Sequence, residues 1–427
     1  MKRIFAIVLV MLLIMSGCHE EAGGSDGETE RPASSGVGDL SDPTERPTST
    51  DDGDTVTKTP AEYGSISGES YVPEKRVGYV CAGTHAVDHA VSPSGIYFIE
   101  KPSDDSDASF IIYADHGSDI FIKLCGRPDC MHSGSDCNAY VRQGSDICYY
   151  DGYLYVISGE GAYTEDCSLI RMDPDGSDHV TVLDLTAYAE ENGGNSIVCD
   201  RITEGACLFS VYRWEKTGVD ASGSYSLDSK TTGYHYYLLD GTMDGPVEAY
   251  TGGLACYSCG DVFLTYFPEP VNGGALGSYW DWDPVANEAT FLTDHPGEPG
   301  WFGEEQAFYF MDGAIHRLTY GTQKDEIMVD TGLEGDYYAM FFPDCVVVAS
   351  NEWGASDNNL YIYDWSFKLL DTVRVNVAQQ IRTQDILIAE TADRLILSDN
   401  TGSEPKYYIE KKDLGSGNLE VHEFDHL

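Results

Sequence analysis

Short apolar runs separated by polar turns recur along the chain from about residue 90 to its end. Within the runs, Tyr, Val, Ile and Phe predominate, which is the composition of a pleated, half-buried strand. Asp-Gly or Ser-Gly pairs lie between neighbouring runs and favour tight hairpin turns. No long helical periodicity competes with this pattern beyond the N-terminal region. The sequence therefore predicts an all-β protein.

The runs group into a repeating unit of two hairpins. The first hairpin is clearest at 92–100, 146–158 and 306–318. Four short strands per unit, at a period of about 50 residues, predict a β-propeller with seven four-stranded blades. Six or eight blades, or two β-sandwiches in tandem, are the alternatives. The second hairpin of each unit falls at 110–124, 168–185, 235–250, 278–294, 314–330, 360–375 and 407–424.

The N-terminal segment 1–17 has the features of a signal peptide. A basic start precedes an apolar run that is shorter than the roughly 20 residues of a membrane helix. Its end, MSGC, resembles a bacterial lipobox, with Met15 in place of the usual leucine. We expect Cys18 to become a lipidated N-terminus that anchors the protein to the outer face of the cell membrane. The alternative is an ordinary signal peptide followed by an incidental cysteine.

A segment of different composition follows the signal peptide. Residues 18–75 are rich in Pro, Ser, Thr, Gly and acidic residues and contain few large apolar ones. Such a segment buries too little apolar surface to offset its ordering entropy, so we expect a disordered acidic linker. Residues 76–427 then form the propeller. A strand from 66–85 is expected to close the ring onto the last blade.

The chain is strongly acidic, with 72 acidic against 25 basic residues and a formal net charge of −47. A surface of this sign repels nucleic-acid phosphates and anionic lipid head groups, which excludes nucleic acid as a partner. It favours cationic ligands, metal ions or basic proteins. The same charge also keeps a protein soluble without any partner.

Three cysteines and a histidine lie together in the stretch CGRPDCMHSGSDC, residues 125–137. Three thiolates and one imidazole are a ligand set for tetrahedral zinc, and four protein ligands leave no open position, so such a zinc ion is structural. One disulfide with a free thiol, or neither arrangement, is the alternative. The cluster is predicted to lie on a loop between two blades, on the same face as the long mid-blade loops. Its members are Cys125, Cys130, His132 and Cys137.

Residues 121–140, which contain this stretch, followed by 148–158, resemble a group of uncharacterised Gram-positive surface lipoproteins that carry a β-propeller domain similar to YWTD and TolB repeats. The resemblance is specific over about 35 residues and implies a propeller fold and a surface location. It implies no activity. The matching residues are Leu124, Cys125, Pro128, Asp129, Cys130, His132 and Cys137.

Long insertions within the blades, predicted as loops at 214–233, 267–278 and 350–359, indicate a binding face. Aromatic rings beside carboxylates suit sugars or cationic groups. Solvated loops with incidental aromatic residues are the alternative. The candidate ligand-binding residues are Trp214, Tyr225, Glu352, Trp353 and Asp357.

Sequence motifs for catalysis are missing: there is no G-x-S-x-G elbow, no H-E-x-x-H pair and no phosphate-binding P-loop. The acidic stretch DPDGSD at 173–178 lacks the spacing of a calcium loop and predicts a hairpin turn. We therefore expect a non-catalytic module that binds a protein or a small ligand. An extracellular carboxylate-dependent hydrolase acting on glycans or esters is the alternative.

Overall fold

The computed structural model describes residues 89–426, and all of them belong to the second of two compact units, Thr57–Leu427. The signal peptide, Cys18, the linker and the strand expected in 66–85 lie outside the described residues. Internal positions also outside them are 102–107, 160–166, 204, 220–224, 249–254, 260–261, 272–273, 284–285, 287, 296–298, 303–304, 343, 355, 377–381, 399–404 and 418.

Strands dominate the described part of the chain and form seven sheets in chain order. The first sheet contains β1 (His89–Val91), β2 (Gly95–Glu100), β3 (Ala108–Asp115), β4 (Ile120–Lys123) and β5 (Tyr140–Arg142). The second contains β6 (Ile147–Tyr150), β7 (Tyr153–Ser158), β8 (Ser168–Met172) and β9 (Val180–Asp184). The third contains β10 (Ser196–Thr203), β11 (Ala206–Val219), β12 (Tyr225–Leu238) and β13 (Val247–Glu248).

The remaining four sheets repeat the same four-stranded plan. The fourth contains β14 (Ala255–Cys259), β15 (Val262–Val271), β16 (Gly274–Asp283) and β17 (Glu288–His295). The fifth contains β18 (Pro299–Phe302), β19 (Gln306–Met311), β20 (Ala314–Thr319) and β21 (Lys324–Asp330). The sixth contains β22 (Tyr337–Phe341), β23 (Val346–Ser350), β24 (Asn359–Tyr363) and β25 (Leu369–Arg374). The seventh contains β26 (Leu387–Glu390), β27 (Arg394–Ser398), β28 (Pro405–Glu410) and β29 (Val421–Glu423).

Three other kinds of element complete the described chain. A final strand, β30 (Asp425–His426), pairs parallel with β4 of the first sheet. One α-helix, α1 (Leu185–Glu191), follows β9, and the Asp184 carboxylate caps it by accepting a hydrogen bond from the Ala187 amide. Short 3-10 turns occupy Thr383–Ile386 and Lys411–Asp413. Within the described residues, no helix combines the length and the apolar composition needed to cross a membrane.

The hairpins expected from the sequence are present. Each of the seven second hairpins forms the third and fourth strands of one sheet, from β3–β4 to β28–β29. The Asp-Gly turns are tight because both residues are left-handed: Asp312 and Gly313 have φ of 51° and 78°. This turn joins β19 to β20, so 306–318 contains the second and third strands of the fifth sheet and not a first hairpin.

Two of the expected mid-blade loops are strands. The segment 214–233 belongs to β11 and β12, which remain paired out to Val219 and Tyr225. Likewise, most of 267–278 belongs to β15 and β16, paired out to Val271 and Gly274. Polar side chains in the first segment, and proline and glycine in the second, led to the loop predictions, but the backbone of a two-stranded ribbon can pair without an apolar face. Of the three expected loops, the connection between β23 and β24 is irregular as predicted.

Apolar cores join the sheets in chain order. Buried side chains of the first and second sheets form one core, those of the second and third another, and the fifth, sixth and seventh are joined in the same way. Beside the fourth sheet, β10 of the third lies next to β14, and the Thr293 hydroxyl of β17 bonds to Gln323 of the fifth at 2.8 Å. A further core joins the seventh sheet to the first and contains Ile96, Phe98, Ile112, Ala114, Phe121, Ala389, Ile396, Tyr408 and Phe424.

A buried arginine reinforces the contact between the seventh and first sheets. The Arg394 side chain, 7% exposed, lies 4.0 Å from the centroid of the Tyr408 ring and donates to the Glu410 carboxylate at 2.9 Å. It also donates to the β3–β4 turn of the first sheet, at the Ser118 carbonyl (2.6 Å) and the Asp119 carboxylate (3.0 Å). Hydrogen bonds from Tyr408 and then Arg394 lower the pKa of Asp119, which indicates that the charged form is stabilised.

We predict that Arg394→Ala destabilises the protein by about 3–5 kcal/mol, because removing this buried cation leaves the largely buried Glu410 carboxylate with only the exposed Lys412 ammonium, 3.4 Å away, as a cationic partner. Denaturant unfolding followed by circular dichroism measures this change. Arg374→Ala, at an exposed position of β25, is the matched control and is expected to change stability by no more than about 0.5 kcal/mol. Equal effects of the two substitutions would show that Arg394 does not hold the first and seventh sheets together.

Candidate functional site

The loop that carries the cysteines, residues 125–138, interrupts the outer strand of the first sheet. Both β4 and β5 pair with the same strand, β3. Between them, the Leu124 amide donates to the Ile111 carbonyl at 2.9 Å, and the Ile111 amide donates to the Ala139 carbonyl at 2.8 Å. Ile111 thus holds both ends of the loop together. The expectation that this loop leads from one blade to the next is wrong, because the outer strand resumes after it.

The four expected metal ligands converge. One ligand atom from each of Cys125, Cys130, His132 and Cys137 lies within 4.8 Å of all the others. The three thiols are not joined in a disulfide, and Cys137 Sγ lies 3.5 Å from His132 Nδ1. Ligand atoms around a tetrahedral zinc ion are about 3.5–3.8 Å apart for bonds of about 2.0–2.3 Å. The cluster can therefore bind a metal ion after a small contraction.

Backbone amides surround the sulfur atoms. Each thiol accepts a hydrogen bond from the amide of the residue two positions later in the chain. Amide dipoles directed at sulfur favour the thiolate, which is the form that binds a metal. Such outer contacts orient metal ligands and tune them. The three pairs are Cys125 with Arg127, Cys130 with His132 and Cys137 with Ala139.

Two of the thiols differ in acidity. Burial raises the pKa of Cys137 to about 12, and the adjacent thiols of Cys130 and Cys125 add to this rise. Partial burial acts in the same direction on Cys125, but hydrogen bonds from backbone amides and neighbouring thiols outweigh it and lower its pKa. A metal ion that binds here must displace the Cys137 proton, so its affinity is expected to increase with pH.

The base of the loop packs against the β8–β9 turn of the second sheet, residues 173–178. A Cβ added at Gly176 would lie 2.5 Å from the Leu124 carbonyl oxygen, so the turn and the loop are in close contact. The hairpin turn predicted for DPDGSD is confirmed, and the Asp175 carboxylate accepts hydrogen bonds from the Ser177 amide (2.9 Å) and hydroxyl (2.6 Å).

The cluster does not lie on the face expected from the sequence, as the position of the β8–β9 turn shows. Successive turns of an antiparallel meander lie at opposite ends of the sheet. The β8–β9 turn therefore lies at the opposite end of the second sheet from the paired ends of β7 and β8, Ser158 and Ser168. The cysteine loop is next to the former, and not on the side of the mid-blade connection as the sequence suggested.

Three of the five candidate ligand-binding residues lie on one connection, residues 351–358 between β23 and β24. Trp353 is 64% exposed, and the Arg382 guanidinium lies 5.3 Å from the centroid of its ring. Glu352 precedes it and is also exposed. The Asp357 carboxylate accepts hydrogen bonds from the hydroxyls of Tyr337 (2.6 Å) and Tyr361 (2.9 Å), besides two from Asn359. Asp357 thus anchors the connection, and Trp353 is left at the surface.

The other two candidates lie on the hairpin of the third sheet. Trp214 is a residue of β11 and bonds through its backbone to the Asn195 side chain, at 2.8 and 3.0 Å. Tyr225 is the first residue of β12 and pairs with Val219. The structure therefore divides the predicted residues between two sheets, with Glu352, Trp353 and Asp357 on the sixth and Trp214 and Tyr225 on the third.

Sequence reasoning missed the residues that support Trp353. Arg382 donates to the Asn351 side chain at 3.3 Å, and Asn351 in turn donates to the Asp336 carboxylate at 2.9 Å. A backbone bridge also joins Arg382 to Trp353. These three residues come from separate segments of the chain and carry no motif, so only the fold reveals that they meet.

No protein-family model matches the sequence, and no curated protein is similar to it. Among solved structures, Sqt1 from Saccharomyces cerevisiae is 12% identical, with a TM-score of 0.34, over 82% of this chain and 98% of that protein. The tricorn protease is 11% identical, with a TM-score of 0.25, over 79% of this chain and 39% of that protein. These similarities are too distant to assign a family or an activity.

We predict that the purified protein binds about one equivalent of zinc, and that chelation makes the thiols of Cys125, Cys130 and Cys137 reactive together, because one ion holds all three. Elemental analysis combined with thiol counting before and after chelation measures both quantities. Cys345→Ala, which alters a buried thiol outside the cluster, is the control and should leave the zinc content unchanged. Metal-free protein with cross-linked cluster thiols would contradict the prediction.

Proposed function

We propose that the protein is a lipid-anchored, extracytoplasmic β-propeller of seven blades that binds a protein or a small ligand without catalysing a reaction. A structural zinc ion at Cys125, Cys130, His132 and Cys137 holds the loop of the first blade. The observation that carries this proposal is the core between the seventh and first sheets, together with Arg394, because it joins the two ends of a series of packed sheets.

The order of the cores favours a ring. Described cores join the first three sheets to one another and the fifth, sixth and seventh to one another, and a further core joins the seventh sheet to the first. In two tandem sandwiches, sheets would pack in pairs inside each domain, and the terminal sheets would have no reason to share a core. A propeller accounts for both features, since each blade then has two neighbours.

The β23–β24 connection supports a binding role. Trp353 presents one of the few large exposed aromatic rings of the described chain, and Arg382, Asn351 and Asp336 fix its position. A rigid aromatic side chain on a supported loop suits recognition, because little conformational entropy is lost on binding. The net charge of −47 and the exposed Glu352 favour a partner that presents a cationic group.

The N-terminal sequence supports a location outside the cytoplasmic membrane. A lipid on Cys18 would hold the protein at the membrane surface, and residues 18–75 would act as a flexible spacer. A chain of this length and composition spans about 40 Å on average. The propeller would then reach partners beyond the lipid head groups.

The donor set supports a structural role for zinc. All four ligands come from the protein, so no position remains for water or substrate. Zinc bound here would hold the loop in its folded form, because the same residues have no preformed site in the unfolded chain.

We predict that Cys18→Ser shifts the protein from the membrane fraction to the soluble fraction of the producing bacterium, because the lipid is lost. Fractionation with immunoblotting measures the distribution. High-salt washing of the wild-type membranes is the control and should release little protein, since the anchor is apolar. Retention of the variant in the membrane fraction would argue against lipid anchoring.

We predict that Trp353→Ala weakens binding to a basic peptide or cationic small ligand by about tenfold or more, because exposed aromatic anchors dominate binding energy. Screening the soluble protein against basic peptides, neutral peptides and glycans, followed by calorimetry, identifies and measures the ligand. Stability should change little, since the ring is 64% exposed.

The matched control is Met131→Ala, which removes another exposed side chain, on the cysteine loop, and should leave binding unchanged. A ligand found in the screen that binds the Trp353 variant as tightly as the wild type would place the binding surface elsewhere.

A further inference from the structure

One peptide group of the cysteine loop is hydrogen bonded at both ends. Its carbonyl, from Asn138, lies 3.0 Å from Nε2 of His179, which directly precedes β9 of the second sheet. Its amide, from Ala139, donates to the thiol of Cys137. The preceding amide, from Asn138 itself, donates to the thiol of Cys125. His179 is therefore connected through one residue to two of the four metal ligands.

We propose that His179 is a positioning residue of the metal centre, so that the second sheet completes a site whose ligands all belong to the first. This inference rests on the proposed metal binding at the cysteine cluster. A donor at the Asn138 carbonyl polarises the peptide group and strengthens the hydrogen bond from its amide to Cys137. Contacts of this outer kind commonly change metal affinity about 10–100-fold when they are removed.

The tautomer of His179 follows from its neighbours. Nε2 also lies 3.0 Å from the carbonyl of Gly176 in the same turn. Both neighbouring atoms are carbonyl oxygens, which only accept, so Nε2 carries the hydrogen and donates. The imidazole is thus held by its own turn while it bonds to the loop of the neighbouring sheet.

Gly176 allows this approach. Its φ is +79°, and a Cβ at this position would lie 2.5 Å from the Leu124 carbonyl oxygen and 3.3 Å from the Asn138 carbonyl oxygen. Any other residue would be strained in this conformation and would push the turn away from both ends of the cysteine loop. The glycine and the histidine therefore act together on the same contact.

Coupling of this kind acts in both directions. If the contact with the β8–β9 turn favours the metal-bound loop, then metal binding stabilises the contact by the same free energy. Metal removal should therefore loosen residues 173–179 of the second sheet, although none of them is a ligand.

The test compares His179→Ala and His179→Gln with the wild-type chain, each loaded with cobalt(II) and then titrated with zinc against a competing chelator. We expect the alanine variant to bind zinc about tenfold more weakly and to show a shifted thiolate-to-cobalt absorption band. The glutamine variant, whose side chain retains a hydrogen-bond donor, should keep part of the wild-type zinc affinity and part of the wild-type cobalt spectrum. His116→Ala is the matched control, because His116 also bonds through Nε2 to a carbonyl, that of Ser92, at 2.8 Å.

A second measurement uses the wild-type protein alone and does not depend on whether a variant folds. Hydrogen exchange of residues 173–179 should become faster after chelation, while exchange in β23 should not change. If wild-type affinity and spectrum are retained in the alanine variant, and exchange at 173–179 is unaffected by chelation, the role of His179 is wrong while the metal centre stands. If the wild-type protein binds neither cobalt nor zinc, both proposals are wrong.

Discussion

The contact between the first and last sheets is the constraint on which the rest of the architecture depends. Arg394 meets the β3–β4 turn across a sequence separation of 276 residues, and β30 adds a parallel pair to β4. Closing so long a segment costs conformational entropy, although the cost grows only slowly with length. The buried aromatic residues around Phe121 and Tyr408 offset that cost, since each fully buried side chain contributes about 1.5–3 kcal/mol. Without this contact, the first and seventh sheets would each expose an apolar face.

The sequence predicted the local part of this fold well and the non-local part poorly. Strand pairs joined by a short turn follow from alternation and turn residues, so all seven second hairpins were found. The β11–β12 hairpin was shortened in the prediction, because its polar outer half has no apolar alternation although its backbone is paired. The Arg394 contact could not be predicted, since a single arginine beside a strand carries no signal of its distant partner.

The cysteine cluster at 125–137 shows the same division between what the sequence predicts and what depends on the fold. Its four candidate metal ligands could be found because they lie within thirteen residues, and no folding argument was needed to bring them near one another. Their place in the sheet could not be found, because it depends on Ile111 bonding to both ends of the loop. The turn at 173–178 was predicted, but the proposed contribution of His179 was missed. The sequence does not show that this turn packs against the cysteine loop of the first sheet.

The cysteine loop and the surface proposed for recognition lie on different parts of this molecule. The cysteine loop contacts the end of the second sheet that carries the turn between its third and fourth strands. Trp353 lies on a connection between second and third strands, which in a meander is the opposite end of a sheet. In the proposed ring, the ends that carry the turns between third and fourth strands form one face, and the ends that carry the connections between second and third strands form the opposite face. In this arrangement, a metal ion at the cluster would hold the first two blades together without occupying the surface proposed for binding. The connections of that surface could then vary at little cost to the ring.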